Sequence, residues 1–194
     1  KTAMAKSCNC AYAQIAQLIG RENMMECALR YGIRDSLTFD GVTTAAGNFD
    51  VSQAAPVELA WGCIGQYTDL VNPCRYLAFL GTVAGGGSGA EPYLMAHVEN
   101  SGDTTYKARK NSTGRLLSED TAELLKSYMR NNVQQVYGDW NFPGLNVCAK
   151  SGTSQLGGEQ SPNAMFAGFV DSDEYPLAFI VVVENGGYGS HTCV

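Results

Sequence analysis

The chain has 194 residues, the size of one domain able to bury its own core. Its 45% hydrophobic and 16% charged residues exclude intrinsic disorder, and 22 glycines without a three-residue period exclude a collagen-like repeat. Nineteen acidic against 13 basic residues give a net charge of −6 and a pI of about 4.8, which argues against a surface that tracks nucleic-acid phosphates.

In chain order, the apolar positions Ala11, Ile15, Leu18 and Ile19 after Ser7-Cys8-Asn9 predict a helix that Gly20 ends. Arg21 to Tyr31 repeats the pattern and stops at Gly32. Asn72-Pro73 is a cap followed by proline at the first helical position, so a helix is expected over 73–84, before Gly85-Gly86-Gly87. Pro92 to Glu99 and Thr104 to Arg109, around the turn signal Asn100-Ser101-Gly102-Asp103, predict a hairpin. Ser118 caps a long helix with Glu119 and Asp120 in its first turn. Its buried face is expected to run through Leu125, Tyr128, Met129, Val133 and Val136 to an end near Gly138.

The last third is different: Leu145 to Lys150, Ala164 to Val170 and Leu177 to Glu184 are short β-prone runs between loops, expected to form one antiparallel sheet. Helices first and strands last, without strand–helix–strand alternation, predict an α+β fold, an antiparallel sheet flanked by helices, in one domain over 1–194. The longest apolar run, Leu177 to Val183, is far short of the roughly 18–20 residues of a membrane span, so the stretch reads as soluble. The seven cysteines, Cys8, Cys10, Cys27, Cys63, Cys74, Cys148 and Cys193, lack zinc-site spacing and do not form a disulfide framework, so they read as buried free thiols. Neither a metal nor another cofactor is implied.

Two short motifs carry candidate chemistry: Ser7-Cys8-Asn9 at the mouth of a helix, and Lys150-Ser151-Gly152-Thr153 at the end of a predicted strand. Taken singly, the first reads as a helix cap and the second as a strand end with a solvated lysine. Their combination and order, 143 positions apart, is what gives them weight.

Together these residues resemble the transpeptidase domain of the penicillin-binding proteins, whose motif set includes S-x-N and K-[ST]-G. The likeness extends over the chain: Ile64-Gly65-Gln66, Val71-Asn72-Pro73, Gly85-Gly86-Gly87 with Pro92, Leu116-Leu117-Ser118, and Phe166-Ala167-Gly168-Phe169 before a strand ending Glu184-Asn185-Gly186-Gly187. The chain departs from the family's pattern at Tyr67, where glycine is usual, at Asn72, where threonine is usual, and at Asn163-Ala164-Met165.

The resemblance implies a serine D,D-transpeptidase that cross-links peptidoglycan, acting on D-Ala-D-Ala stem peptides and bound covalently by β-lactam antibiotics. It implies that Ser7 and Lys150 relay a proton to the leaving group and that Asn9 bonds a substrate amide. Ser151 and Thr153 hydroxyls would hold the terminal carboxylate, the Thr153 N–H would serve the oxyanion, and Gly152 would leave room for the substrate strand. The family's nucleophile sits in S-x-x-K upstream of S-x-N, and none of the thirteen serines has lysine three positions later. The chain is therefore expected to be a segment of such a domain, incomplete at both ends, that needs a missing upstream segment for its nucleophile and is inactive alone. The family's location implies the outer face of the cytoplasmic membrane and a membrane-anchored parent. A non-catalytic β-lactam- or peptide-binding module or sensor, a β-lactamase, and a cysteine hydrolase built on Cys148 with His97 or His191 are the competing readings.

Overall fold

The structure is a computed structural model that describes residues 1–194. Its helices and strands run α1 (Thr2–Ala5), α2 (Asn9–Ile19), α3 (Arg21–Arg30), β1 (Thr38–Phe39), β2 (Val42–Thr43), α4 (Pro56–Cys63), α5 (Pro73–Ala84), β3 (Ser88–Ala90), β4 (His97–Asn100), β5 (Asp103–Lys107), β6 (Ser112–Arg115) and α6 (Glu119–Asn132). A π-helical turn (Val133–Tyr137) and a 3-10 turn (Asp139–Asn141) then lead into β7 (Val147–Ser154), β8 (Asn163–Val170), β9 (Ala178–Val183) and α7 (Gly189–Thr192).

Local chemistry explains the helix starts. The Asn72 side chain accepts the Cys74 and Arg75 N–H groups, with Pro73 at the first helical position of α5. Ser118 accepts the Thr121 N–H at the start of α6, whose first turn carries Glu119 and Asp120. The sequence reading passed over α4, although Pro56 opens it and Glu58 reaches back to the Ala55 N–H at 2.7 Å.

The sheet is antiparallel in the order β7-β8-β9, with Lys150 opposite Ala167 and Gly168 opposite Phe179. Alternation along these strands feeds two cores. Cys148, Ala167 and Phe169 pack with Leu80, Val83 and Met129 of α5 and α6, while Val147, Ala149, Phe166 and Val170 pack with Val133 and Tyr137. Gly168 lets β7 and β8 close up, since a Cβ there would stand 2.2 Å from the Cys148 carbonyl oxygen. A third core, Ala16, Ala28, Phe49, Val51, Ala54 and Leu59, lies among α2, α3 and α4.

Four expectations are corrected. The first sheet strand starts at Val147 and continues through Ser154, so Lys150 lies within it, because the pairing with β8 runs unbroken from Val147–Val170 to Ser154–Asn163. The surface hairpin is shorter than expected: residues 92–96 stay outside it, where the Asp40 carboxylate accepts the Leu94 and Met95 N–H groups at 2.7 and 2.8 Å. After α6 the wider π turn rotates the register, so Tyr137 is buried and Val136 is 43% exposed. Of the seven unpaired thiols only Cys148 is fully buried, and Cys10 and Cys27 are exposed because they fall on the outer faces of α2 and α3.

Candidate active site

Ser7 stands on the sharp turn between α1 and α2, with φ +48, a backbone region that few non-glycine residues adopt. It is not a helix cap: the capping position of α2 is Cys8, and no side chain bonds there. The Ser7 Oγ instead accepts a hydrogen bond from the Lys150 Nζ at 2.6 Å, across 143 positions of sequence. Asn9, two positions after Ser7 and the first residue of α2, is exposed.

Lys150 is not the solvated strand-end lysine of the simpler reading. Its ammonium also donates to the Ser151 carbonyl at 2.7 Å, and burial lowers its pKa from the ordinary 10.5. A lysine so shifted gives up its proton more readily than a solvated one, which suits a proton carrier.

β7 is an edge strand, and in an antiparallel strand the N–H and C=O of alternate residues point to the same side. Residues 147, 149, 151 and 153 present theirs to the free edge. Arg130 donates to the Val147 carbonyl at 3.3 Å and Asn132 to that of Ala149 at 3.1 Å. The Tyr137 hydroxyl accepts the Ser151 N–H at 2.8 Å and donates to the Ser151 Oγ at 3.0 Å. The Gln66 amide donates to the Thr153 carbonyl at 3.4 Å, and the same alternation sends the Thr153 N–H to that open edge.

The Ser151 and Thr153 hydroxyls both accept from the protein, one from Tyr137 and the other from the Gly189 N–H at 3.2 Å. Each keeps its own O–H to donate to an anion. Gly189 itself must be glycine, because a Cβ would meet the Gly152 carbonyl oxygen at 2.2 Å and that of Met165 at 2.4 Å. A Cβ at Gly152 would make only ordinary 3.5 Å contacts with Met165, so the protein's own packing does not demand glycine there.

The structure thus gathers Ser7 and Lys150 by a direct bond and places Ser151, Gly152 and Thr153 along the following edge. Tyr137, Gln66 and Gly189 contribute contacts that sequence reasoning did not assign. Gln66 stood in a quoted motif without a role, and Tyr137 was hidden by a regular-helix extrapolation that pointed to Val136. The cysteine alternative fails on chemistry, since burial pushes the Cys148 thiol up to about 12 and leaves it without thiolate character.

Comparison with known proteins shows the family and the fold. A family model described as the penicillin binding protein transpeptidase domain matches residues 1–192. The peptidoglycan D,D-transpeptidase PbpA of Mycolicibacterium smegmatis is 24% identical over 192 residues, covering 95% of this chain and 38% of that protein. Its namesake in Mycobacterium tuberculosis is 24% identical over 198 residues, covering 96% of this chain and 38% of that one. The chain therefore spans less than half the length of these curated relatives. A ceftriaxone acyl-enzyme complex of penicillin-binding protein A from M. tuberculosis superposes with a TM-score of 0.90 at 22% identity, covering 98% of this chain and 45% of the other. The D,D-transpeptidase domain of a peptidoglycan glycosyltransferase from Eggerthella lenta gives 0.84 at 22% identity, with 98% and 49% covered. With its α+β fold and a family match over nearly its whole length, the chain belongs to the penicillin-binding protein transpeptidase domain family.

Proposed function

We propose that these 194 residues are the substrate-holding and proton-relaying part of a serine D,D-transpeptidase, which acts on D-Ala-D-Ala stem peptides and is acylated by β-lactams. The observation that carries this reading is the Lys150–Ser7 hydrogen bond of 2.6 Å. In the proposed reaction a serine oxygen attacks the penultimate D-alanine carbonyl, an acyl C–O bond forms, and the C–N bond to the terminal D-alanine breaks. Ser7 and Lys150 pass the serine proton to the departing amine. Asn9 holds a substrate amide, the Ser151 and Thr153 hydroxyls bind the terminal carboxylate, and the Thr153 N–H stabilises the oxyanion. Gly152 leaves the β7 edge open to an extended peptide.

The attacking serine belongs, in this proposal, to polypeptide outside these residues. Two observations support that. The chain exposes 11770 Å², against about 8,900 Å² for a compact monomer of its mass. The apolar stripe of α2 is also open, with Leu18 86% exposed and Ile15 and Ile19 each 41% exposed. No helix of the structure is long and apolar enough to cross a membrane, so the proposed attachment to the outer face of the cytoplasmic membrane would lie elsewhere in the parent.

Fluorescent penicillin, denaturing gels and mass spectrometry test the reading. The isolated chain should acquire no covalent adduct, whereas the parent protein should, and Lys150→Met in the parent should slow acylation by ~100-fold or more. An adduct mapped to a serine of this chain would show the nucleophile to be misplaced, and a fully active Lys150→Met parent would remove the relay.

A further inference from the structure

Between α5 and α6 the chain sends out a two-stranded ribbon, β4 paired with β5 and with no other strand. Every residue from Glu91 to Lys107 is exposed. The side chains left in water there are not those of an ordinary polar loop: Tyr93, Leu94, Met95, Val98 and Tyr106 are among them, with Leu94 67% exposed. Val98 and Tyr106 stand directly opposite each other on one side of the ribbon, His97 and Lys107 on the other. The root is fixed, because the Asp40 carboxylate accepts the Leu94 and Met95 N–H groups at 2.7 and 2.8 Å. Apolar side chains grouped together, held in place and left exposed mark an interaction surface.

Charge narrows the kind of partner. The chain carries a net charge of −6, yet no acidic residue lies between Asp103 and Glu119, and Lys107, Arg109 and Lys110 fall in that stretch. All three are exposed and none enters an ion pair. Arg115, the fourth cation there, is engaged by the Gly86 and Leu117 carbonyls. Of the ribbon's own acids, Glu99 lies 3.6 Å from His97, and Asp103 stands at the far turn. Free cations beside exposed leucine, valine and tyrosine are the combination that holds a polypeptide in the headgroup layer of an anionic bilayer. Addition of a partner strand fits less well, because the register is irregular between Val98 and Glu99 and Lys107 closes β5, both devices that discourage strand pairing. The unpaired backbone groups along the ribbon must stay hydrated, so it can lie on a bilayer but not cross one.

We infer that the β4–β5 ribbon is a docking surface for an anionic lipid bilayer, with Leu94, Val98 and Tyr106 entering the headgroup layer and Lys107, Arg109 and Lys110 meeting its phosphates. The inference is independent of the transpeptidase reading, since none of these residues takes part in the relay or the carboxylate clamp.

Co-sedimentation of the chain with vesicles of phosphatidylcholine alone, or of phosphatidylcholine and phosphatidylglycerol in equal parts, tests it. The anionic vesicles should bind about tenfold or more tighter than the neutral ones, and that binding should fall steeply with added salt. Replacing the three cations together, Lys107→Glu, Arg109→Glu and Lys110→Glu, should weaken it by about 100-fold, at about 1 kcal/mol for each cation. Tyr93→Ser with Leu94→Ser, which alters no charge, should weaken it by about tenfold. If a variant fails to fold, the two vesicle types and the salt series on the unaltered chain decide alone. Equal binding to both vesicles, no binding to either, or undiminished binding of the triple variant would overturn the proposal. Polyglutamate bound as tightly as the anionic vesicles would assign the ribbon to an acidic polypeptide and overturn the lipid reading. Ribbon amides better protected from hydrogen exchange in the lipid-free parent than in the chain would overturn it too, by showing that the parent's own polypeptide covers the ribbon.

Discussion

Tyr137→Phe isolates what one hydroxyl does for the β7 edge. Tyr137 is 5% exposed, and its ring meets Phe166 edge-on with centroids 5.1 Å apart and planes at 86°. Phenylalanine keeps that packing, so the substitution leaves no cavity of consequence. What it removes is the acceptor of the Ser151 N–H at 2.8 Å and the donor to the Ser151 Oγ at 3.0 Å. An ordinary hydrogen bond contributes about 1 kcal/mol net, and a part-buried N–H left unsatisfied costs about 1–3 kcal/mol, so the expected loss is about 2 kcal/mol. For a chain of this length that is a fall in Tm of about 4–8 °C. Urea unfolding should show a lower midpoint with an unchanged m-value, and the Ser151 amide should exchange with deuterium faster than its neighbours at Ala149 and Lys150. In the parent protein the freed Ser151 hydroxyl should weaken capture of penicillin without altering the later chemistry. A change of less than about 0.5 kcal/mol together with unaltered Ser151 exchange would refute the idea that Tyr137 sets this edge.

Three further outcomes follow from particular residues. Tyr67 is held at φ +67, where a side chain is strained and the family more often has glycine; Tyr67→Gly should stabilise the chain by about 0.5–1 kcal/mol in urea unfolding, and a loss of stability would count against the strain. Burial raises the Asp69 carboxyl from 3.8 to about 7, and its Oδ1 has no partner. The folded state then holds a proton that the unfolded state releases, so this contribution is complete below about pH 4 and lost as pH rises through about 7. Asp69→Asn should flatten that dependence and, with the partial exposure of the group discounted, stabilise by about 1–2 kcal/mol at pH 8; a steeper fall in the variant would contradict it. Lys150, shifted the other way by burial, should lose its proton below 10.5 in a carbon-detected lysine titration. Stability should correspondingly rise with pH in the window beneath that value, where the unfolded chain binds the extra proton, and a midpoint at or above 10.5 would refute the desolvation.

How much of this was legible in the sequence depended on the range of the forces involved. The start of α5 was readable because Asn72 caps the amides of residues two and three positions on, a contact contained within the motif itself. The sheet was readable from its apolar runs, but the extension of β7 through Ser151-Gly152-Thr153 was not. Those residues favour a turn locally, and it is the ladder to Met165, Ala164 and Asn163 that keeps them extended. Tyr137 was missed because a 3.6-residue period cannot register a π turn, which shifts the buried position by one residue. Along α2 the period picked out Ile15, Leu18 and Ile19, which the structure leaves exposed, while the residue buried there is Ala16; periodicity says nothing about whether another element covers an apolar face.

The position of the candidate site follows from where the cover over β7 stops. An unpaired strand edge exposes donors and acceptors that must be satisfied or used. From Val147 to Ala149 the edge is closed by Arg130 and Asn132 of α6, and Arg130 is itself held by Asp139 at 2.5 and 2.9 Å. The π turn carries that cover one step further than a regular helix end would, since it swings Tyr137 onto the Ser151 N–H. Beyond that point α6 no longer covers the edge: Lys150 takes the Ser151 carbonyl, Gln66 makes a long contact to that of Thr153, and the Thr153 N–H faces the opening. In the proposed reading, a peptide laid against β7 would meet the edge just past Lys150, beside the Ser7–Lys150 pair, because Arg130 and Asn132 at the end of α6 cover the stretch nearer Val147.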